Sequence, residues 1–165
     1  MSTTSEPDGV NRGEVRTARL FVAVQFVLIG LVVLLPGSGA WPVPAWLRGL
    51  SVAGMVTGVA IMLLGGTALG RGLTAVPLPN RHAALRTGGL YRIVRHPIYT
   101  GLLLTVGAYA VARGAWWPAL AFVALVVLIT VKARWEEERL ARRFAGYPAY
   151  AARTPRFVPG LRPRR

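Results

Sequence analysis

Apolar positions in this chain come in long blocks, parted by short polar stretches rich in arginine, glycine and proline. The first block runs from about Ala18 to Leu35. As a helix its roughly 18 residues would reach about 27 Å, close to the hydrocarbon thickness of a bilayer. Gln25, a polar side chain in its middle, predicts an interhelical hydrogen bond. Pro36-Gly37-Ser38-Gly39 stops the helix, and Trp41 and Trp46 suit a membrane interface. The second block, about Trp46 to Leu69, carries Gly54, Gly58, Gly65 and Gly66, small residues that let another helix come close. The Gly54–Gly58 spacing is read as packing within the chain.

Arg71 to Arg95 is a basic connector in which Pro77 and Pro79 break any continuing helix. Gly88-Gly89 permits a tight turn there. The third block, about Ile98 to Ala112, and the fourth, about Ala119 to Val131, are both short for a full span. Arg113 to Pro118 turns between them, and Pro118 in a first helical turn costs little. Two short runs around a tight turn predict a tilted helical hairpin whose ends project into the polar layer. Beyond Lys132 the helical pattern continues with charge added, and Trp135, Leu140 and Phe144 line one apolar face. Gly146 and Pro148 end that helix. Arg153 to Arg165 reads as a basic, proline-rich tail, either on the membrane surface or partly disordered.

The expectation is an all-α integral membrane bundle of about four transmembrane helices with a C-terminal cytoplasmic helix. Residues 1–16 form a flexible tail, 17–159 the membrane-embedded domain and 160–165 a basic tail. Composition agrees: 53% of the 165 residues are hydrophobic, the net charge is +14 and there is no cysteine. The missing cysteine excludes a disulfide framework and a thiolate nucleophile or metal ligand. With His82 and His96 as the only histidines, no metal site is expected. The positive charge fits arginine-rich loops facing anionic lipid. Nucleic acid is set aside, because no basic and aromatic residues interleave as a binding surface. Counting Lys and Arg by loop places both termini, the connector and the polar clusters in the cytoplasm.

Two clusters carry chemistry. Arg95-His96-Pro97-Ile98-Tyr99-Thr100-Gly101 packs a cation, an imidazole, a phenol and a helix-starting proline where the third block begins. The start of that helix offers free N–H groups and partial positive charge, so with Arg95 and His96 it reads as an anion site. The second cluster is Glu136-Glu137-Glu138. Between Glu14 and Glu136 there is no carboxylate at all. Neighbouring helix residues point in different directions, so Glu136 and Glu137 cannot do the same job. Glu138 reads as paired with Arg139, Arg142 or Arg143. The helical hairpin brings the two clusters to one membrane face. An anion site beside carboxylates suits a zwitterionic or cationic ligand, and S-adenosylmethionine fits that description.

Thr87-Gly88-Gly89-Leu90-Tyr91-Arg92-Ile93-Val94-Arg95-His96-Pro97-Ile98-Tyr99-Thr100-Gly101 resembles the TxGxYRxxRHPxYxG motif of the isoprenylcysteine carboxyl methyltransferase family; phospholipid N-methyltransferases carry a related form. Glu136-Glu137-Glu138-Arg139-Leu140, with Phe144, Tyr147 and Tyr150, resembles that family's EExxL…FG…YxxY segment. Ala145 stands where the family has glycine, and the gap to the first tyrosine is one residue shorter. The resemblance covers about Arg71 to Pro159. It implies a membrane methyltransferase that uses S-adenosylmethionine, held by Tyr91, Arg95, His96, Pro97, Tyr99, Gly101, Glu136 and Glu137. Arg95, Tyr99 and Arg156 are the residues assigned to catalysis, an Arg holding a carboxylate acceptor bidentately. The acceptor is expected to be lipid-like or a small hydrophobic molecule, and the location the cytoplasmic membrane of a prokaryote. Two other readings stand beside this one: a membrane reductase using NADPH, and a non-enzymatic membrane protein.

Overall fold

The computed structural model describes residues 12–36, 39–70 and 84–161, and every regular element among them is a helix. The expectations for residues 1–11, Gly37, Ser38, Arg71, Pro77, Pro79, Arg81, His82 and residues 162–165 lie outside the described residues. In order the helices are α1 (Arg12–Leu34), α2 (Ala45–Leu69), α3 (Leu90–Ile93), α4 (Pro97–Arg113), α5 (Trp116–Arg143) and α6 (Tyr147–Arg153). By length and composition α1, α2 and α5 can each cross a membrane. α4 has 17 residues, or about 25 Å of helix against a hydrocarbon core of about 30 Å.

The chain alternates direction. Arg139, near the end of α5, pairs with Glu14 in the first turn of α1 at 2.9 Å. At the other end Arg113 donates to the Leu35 carbonyl at 3.0 Å, and Trp41 meets Trp116 edge to face at 4.9 Å. The starts of α1 and α4 and the ends of α2 and α5 therefore share one pole of the bundle. α1 begins before the apolar block does, because the Glu14–Arg139 pair stabilises its first turn. The turn between α4 and α5 depends on Gly114, whose φ of 60° is one that L side chains rarely adopt.

α2 packs on α4 and α1 on α5, while α4 also lies against α5. Val32, Val106, Ala110, Ala121, Leu125 and Ile129 form the buried core. Phe26, Val27, Leu63, Leu64, Val123 and Val127 are exposed along the outside. An apolar surface of that extent suits lipid as the solvent. Small residues set the α2–α4 distance. A side chain at Gly58 would run into the Gly101 carbonyl at 2.6 Å and the Thr105 amide at 2.8 Å, and one at Gly101 would strike the Gly58 carbonyl. Gly54 approaches Ala108 in the same seam, so the glycines pack within the chain as the sequence predicts.

The C-terminal segment departs from the expected surface tail. Residues 153–161 fold back against the entry to α4. The Arg95 amide donates to the Pro155 carbonyl at 2.8 Å and the His96 amide to the Arg156 carbonyl at 3.2 Å. The reason is local: Val94 is extended (φ −140°, ψ 149°), so the peptides ahead of Pro97 have no helical partner. Buried backbone groups of this kind need acceptors from elsewhere.

Gly58→Leu is expected to destabilise the bundle by about 1–3 kcal/mol or more, since the facing atoms are backbone that cannot rotate away. Gly30→Ala, with nothing within 4 Å, should leave stability equal or higher, because alanine favours helix. Unfolding midpoints of the two variants in detergent check this, and equal midpoints would contradict the tight seam.

Candidate functional site

The carboxylate of Glu137 is the centre of the polar pole. Arg156 grips it bidentately, Nε to Oε1 at 2.9 Å and Nη2 to Oε2 at 2.7 Å. Arg95 reaches Oε1 through Nε at 3.1 Å, and His96 Nε2 lies 3.0 Å from the same oxygen. The Glu137 side chain is only 13% exposed, so three basic groups surround a nearly buried acid. Arg95 is itself fixed by donating through Nη1 to the Ala151 carbonyl at 2.6 Å. The anion site read at the start of α4 is thus filled by the chain's own carboxylate. His96 does not cap α4 with its side chain, which turns to Glu137 instead.

Glu136 faces another way. It accepts a hydrogen bond from the Tyr99 hydroxyl at 2.9 Å, and its carboxylate lies 3.9 Å from His96 Nδ1. At 24% exposure it is the more accessible of the two acids. The His96 and Tyr99 rings stack at 5.3 Å with 15° between their planes, and Phe157 tilts against His96 at 6.0 Å. Thr100 ties the first turn of α4 to the C-terminal segment by donating to the Phe157 carbonyl at 2.9 Å.

Pro97 and Gly101 turn toward α2, at Gly65 and Gly58, and hold α4 in place from behind. Tyr91 also lies behind the cluster: it donates to the Gly65 carbonyl at 3.2 Å and receives the Tyr150 hydroxyl on its own carbonyl. Burial, with the Glu136 charge as a smaller cause, pushes the Tyr91 hydroxyl well above the ordinary phenol range. Burial likewise raises Tyr147, and pushes Tyr150 up to about 12. These phenols therefore stay neutral donors at ordinary pH. The Tyr147 hydroxyl is buried without a hydrogen-bond partner among the described residues. The hydrogen bond to Glu137 raises the Arg156 pKa further, so that guanidinium stays charged.

Lys132 was not singled out from the sequence. It is 3% exposed, donates to Gln25 at 2.7 Å and sits 5.0 Å over the Tyr99 ring. The signal was its spacing: Lys132 and Glu136 are one helical turn apart on one face of α5. The interhelical hydrogen bond expected of Gln25 is the one to Lys132. Among the described residues no three His, Cys, Asp or Glu side chains come together as a metal site.

A cleft of about 910 Å³ opens beside the cluster, with Arg95 and Arg156 in its wall. The donor set suits S-adenosylmethionine: a carboxylate for an ammonium or ribose hydroxyl, guanidinium groups for a carboxylate, and rings for a purine. The poorer match is Glu137, whose oxygens are already committed.

The sequence is 28% identical over 137 residues to the nickel-cobalt-cadmium resistance protein NccN of Alcaligenes xylosoxydans xylosoxydans, covering 82% of this chain and 62% of the relative. It is 30% identical over 142 residues to the cobalt-zinc-cadmium resistance protein CzcN of Cupriavidus metallidurans, covering 85% and 62%. A probable 7-dehydrocholesterol reductase of Acanthamoeba polyphaga mimivirus is 33% identical over 86 residues, half of this chain and 19% of that one. The chain thus spans about three-fifths (62%) of the two resistance proteins. No solved structure matches. The profile of the phospholipid methyltransferase family matches residues 46–146, a stretch that holds α2 to α5 and both acidic and basic motifs of the cluster. The chain belongs to the phospholipid methyltransferase family.

Proposed function

We propose that this protein is a membrane methyltransferase that uses S-adenosylmethionine and acts on a lipid-like or small hydrophobic acceptor. The observation that carries the reading is the convergence of Arg95, His96 and Tyr99 from the start of α4 with Glu136 and Glu137 near the end of α5. Family membership supports the reaction class. When bound, S-adenosylmethionine supplies a methyl group already activated on a sulfonium, so positioning is most of what a protein must add.

In this reading Glu136, the accessible acid, holds the ammonium or ribose side. Arg95, kept in place by Glu137, turns its remaining N–H donors to the α-carboxylate. His96 and Tyr99 supply the aromatic wall, and Tyr91, Pro97 and Gly101 keep that wall in register from behind. A carboxylate acceptor would need no general base, whereas an amine or hydroxyl acceptor must arrive deprotonated or find one. Arg156, oriented by its bidentate hold on Glu137, offers its remaining N–H donors to a carboxylate acceptor. The acceptor enters sideways from the bilayer and the cofactor from the cytoplasm, with both termini on the cytoplasmic side of a prokaryotic membrane.

Calorimetry with S-adenosylhomocysteine on the folded protein tests this. Glu137→Ala and His96→Ala are each expected to weaken binding at least tenfold, about 1.4 kcal/mol or more. Unchanged affinity in both folded variants rejects this placement of the pocket. The partial likeness to a probable sterol reductase favours a second reading, a nicotinamide-dependent reductase. Titration with NADPH separates the two. The methyltransferase reading predicts binding of S-adenosylhomocysteine and none of NADPH, and the reverse result would replace it.

A further inference from the structure

Lys132 is a buried cation outside the cluster around Glu137. It directly follows the apolar run of α5 and is only 3% exposed. Its ammonium donates to the Gln25 side chain of α1 at 2.7 Å and lies 5.0 Å from the centroid of the Tyr99 ring. Among the described residues it forms no ion pair. An ammonium carries three donors, and one of them is used among the described residues.

A contact between two helices does not need a charge. A threonine or glutamine bridges helices in apolar surroundings by hydrogen bonding alone. A charge buried without an opposite charge is far more costly for the fold. An ionisable side chain inside a membrane segment therefore points to a site.

The surroundings of Tyr99 show where this charge acts. His96 stacks on the ring at 5.3 Å, and the Lys132 ammonium lies over it. The phenol donates to Glu136 at 2.9 Å. A cation over an aromatic face is held by the ring's quadrupole, more strongly where water is excluded. Lys132 and Glu136 are one turn apart on α5, so the ring from α4 bridges two successive positions of one helical face. Three helices thus meet in one polar path: Gln25 of α1, Lys132 of α5, Tyr99 of α4 and Glu136 of α5 again. Gln25 lies before residues 46–146, so the path begins outside the segment matched by the family.

We propose that Lys132 is a positioning residue: seated by Gln25, its ammonium holds the Tyr99 ring so that the phenol aims the accessible carboxylate of Glu136 at the guest. It acts through Tyr99 and Glu136 and touches neither cofactor nor acceptor. The identity of the guest rests on the methyltransferase reading, whereas the seating of Tyr99 does not.

The test uses the full chain in detergent. With 3-fluorotyrosine in place of Tyr99, fluorine NMR reports the ring, and calorimetry with S-adenosylhomocysteine on the unlabelled chain reports the pocket. Lys132→Met and Gln25→Leu remove the charge and its seat with apolar side chains suited to a membrane helix. Glu14→Gln is the comparison, since it breaks another contact between α1 and α5, the ion pair with Arg139, that does not include Tyr99. Both path variants are expected to move the fluorine signal and to weaken binding about fivefold or more. The double variant should be no worse than Lys132→Met alone, because both changes cut one path. Glu14→Gln should leave the signal in place and the affinity within about twofold. Should Lys132→Met fail to fold, Gln25→Leu carries the same comparison. A signal unmoved by the path variants, or moved equally by Glu14→Gln, would reduce Lys132 to an interhelical contact and overturn the inference. A shifted signal with unchanged affinity would overturn its role in the pocket. No binding by the native chain would instead overturn the methyltransferase reading, and the fluorine comparison would still decide the seating of Tyr99.

Discussion

A single carboxylate, that of Glu137, is held by basic groups from two distant parts of the chain. Arg95 and His96 come from the entry to α4 and Arg156 from beyond α6, all within 3.1 Å of it. An acid so deeply placed is costly unless it is paired and hydrogen-bonded, and removing one partner from a buried pair typically costs about 3–5 kcal/mol. The contact therefore constrains three segments together. It fixes which face of α5 turns inward, it requires the residues before Pro97 to be extended, and it brings the C-terminal segment back over the pole. The backbone bonds from Arg95 and His96 to Pro155 and Arg156 are the second half of the same lock.

The bundle beneath serves that arrangement. The glycine seam brings α2 against α4 closely enough for Pro97 to rest on Gly65, which sets the height of the α4 entry. α5 is continuous from Trp116 to Arg143, so its apolar half and its acidic half form one rigid rod. Glu14 and Arg139 then close α1 onto the same pole. The result separates two roles for adjacent acids: Glu137 organises the site from within, while Glu136, bonded to Tyr99, remains open to a guest.

Much of this could be read in the residues. Apolar blocks gave the four main helices, and the turn between Arg113 and Pro118 placed Arg95 and Glu137 at one end. Gly54 and Gly58 pointed to a seam within the chain. Other features depend on contacts between residues far apart in sequence. Nothing local to Pro155-Arg156 signals backbone pairing with Arg95 and His96, so that fold-back was not read, although Arg156 itself was assigned to the site. Glu14 sits in a polar stretch, and only its partner Arg139, 125 residues later, explains why α1 starts there. The short helix α3, from Leu90 to Ile93, has too few residues to show a periodicity. Lys132 read as the end of an apolar run because its partner Gln25 lies on another helix.

The account turns on Glu137 and Arg156 acting as one buried pair that locks the C-terminal segment to α5. A double-mutant cycle tests this most directly, using unfolding in detergent of the native chain, Glu137→Gln, Arg156→Gln and the double variant. The account predicts strong coupling, with the double variant more stable than the sum of the single losses implies by about 1–3 kcal/mol. Losses that simply add would show that the two side chains do not share an interaction, and would contradict it.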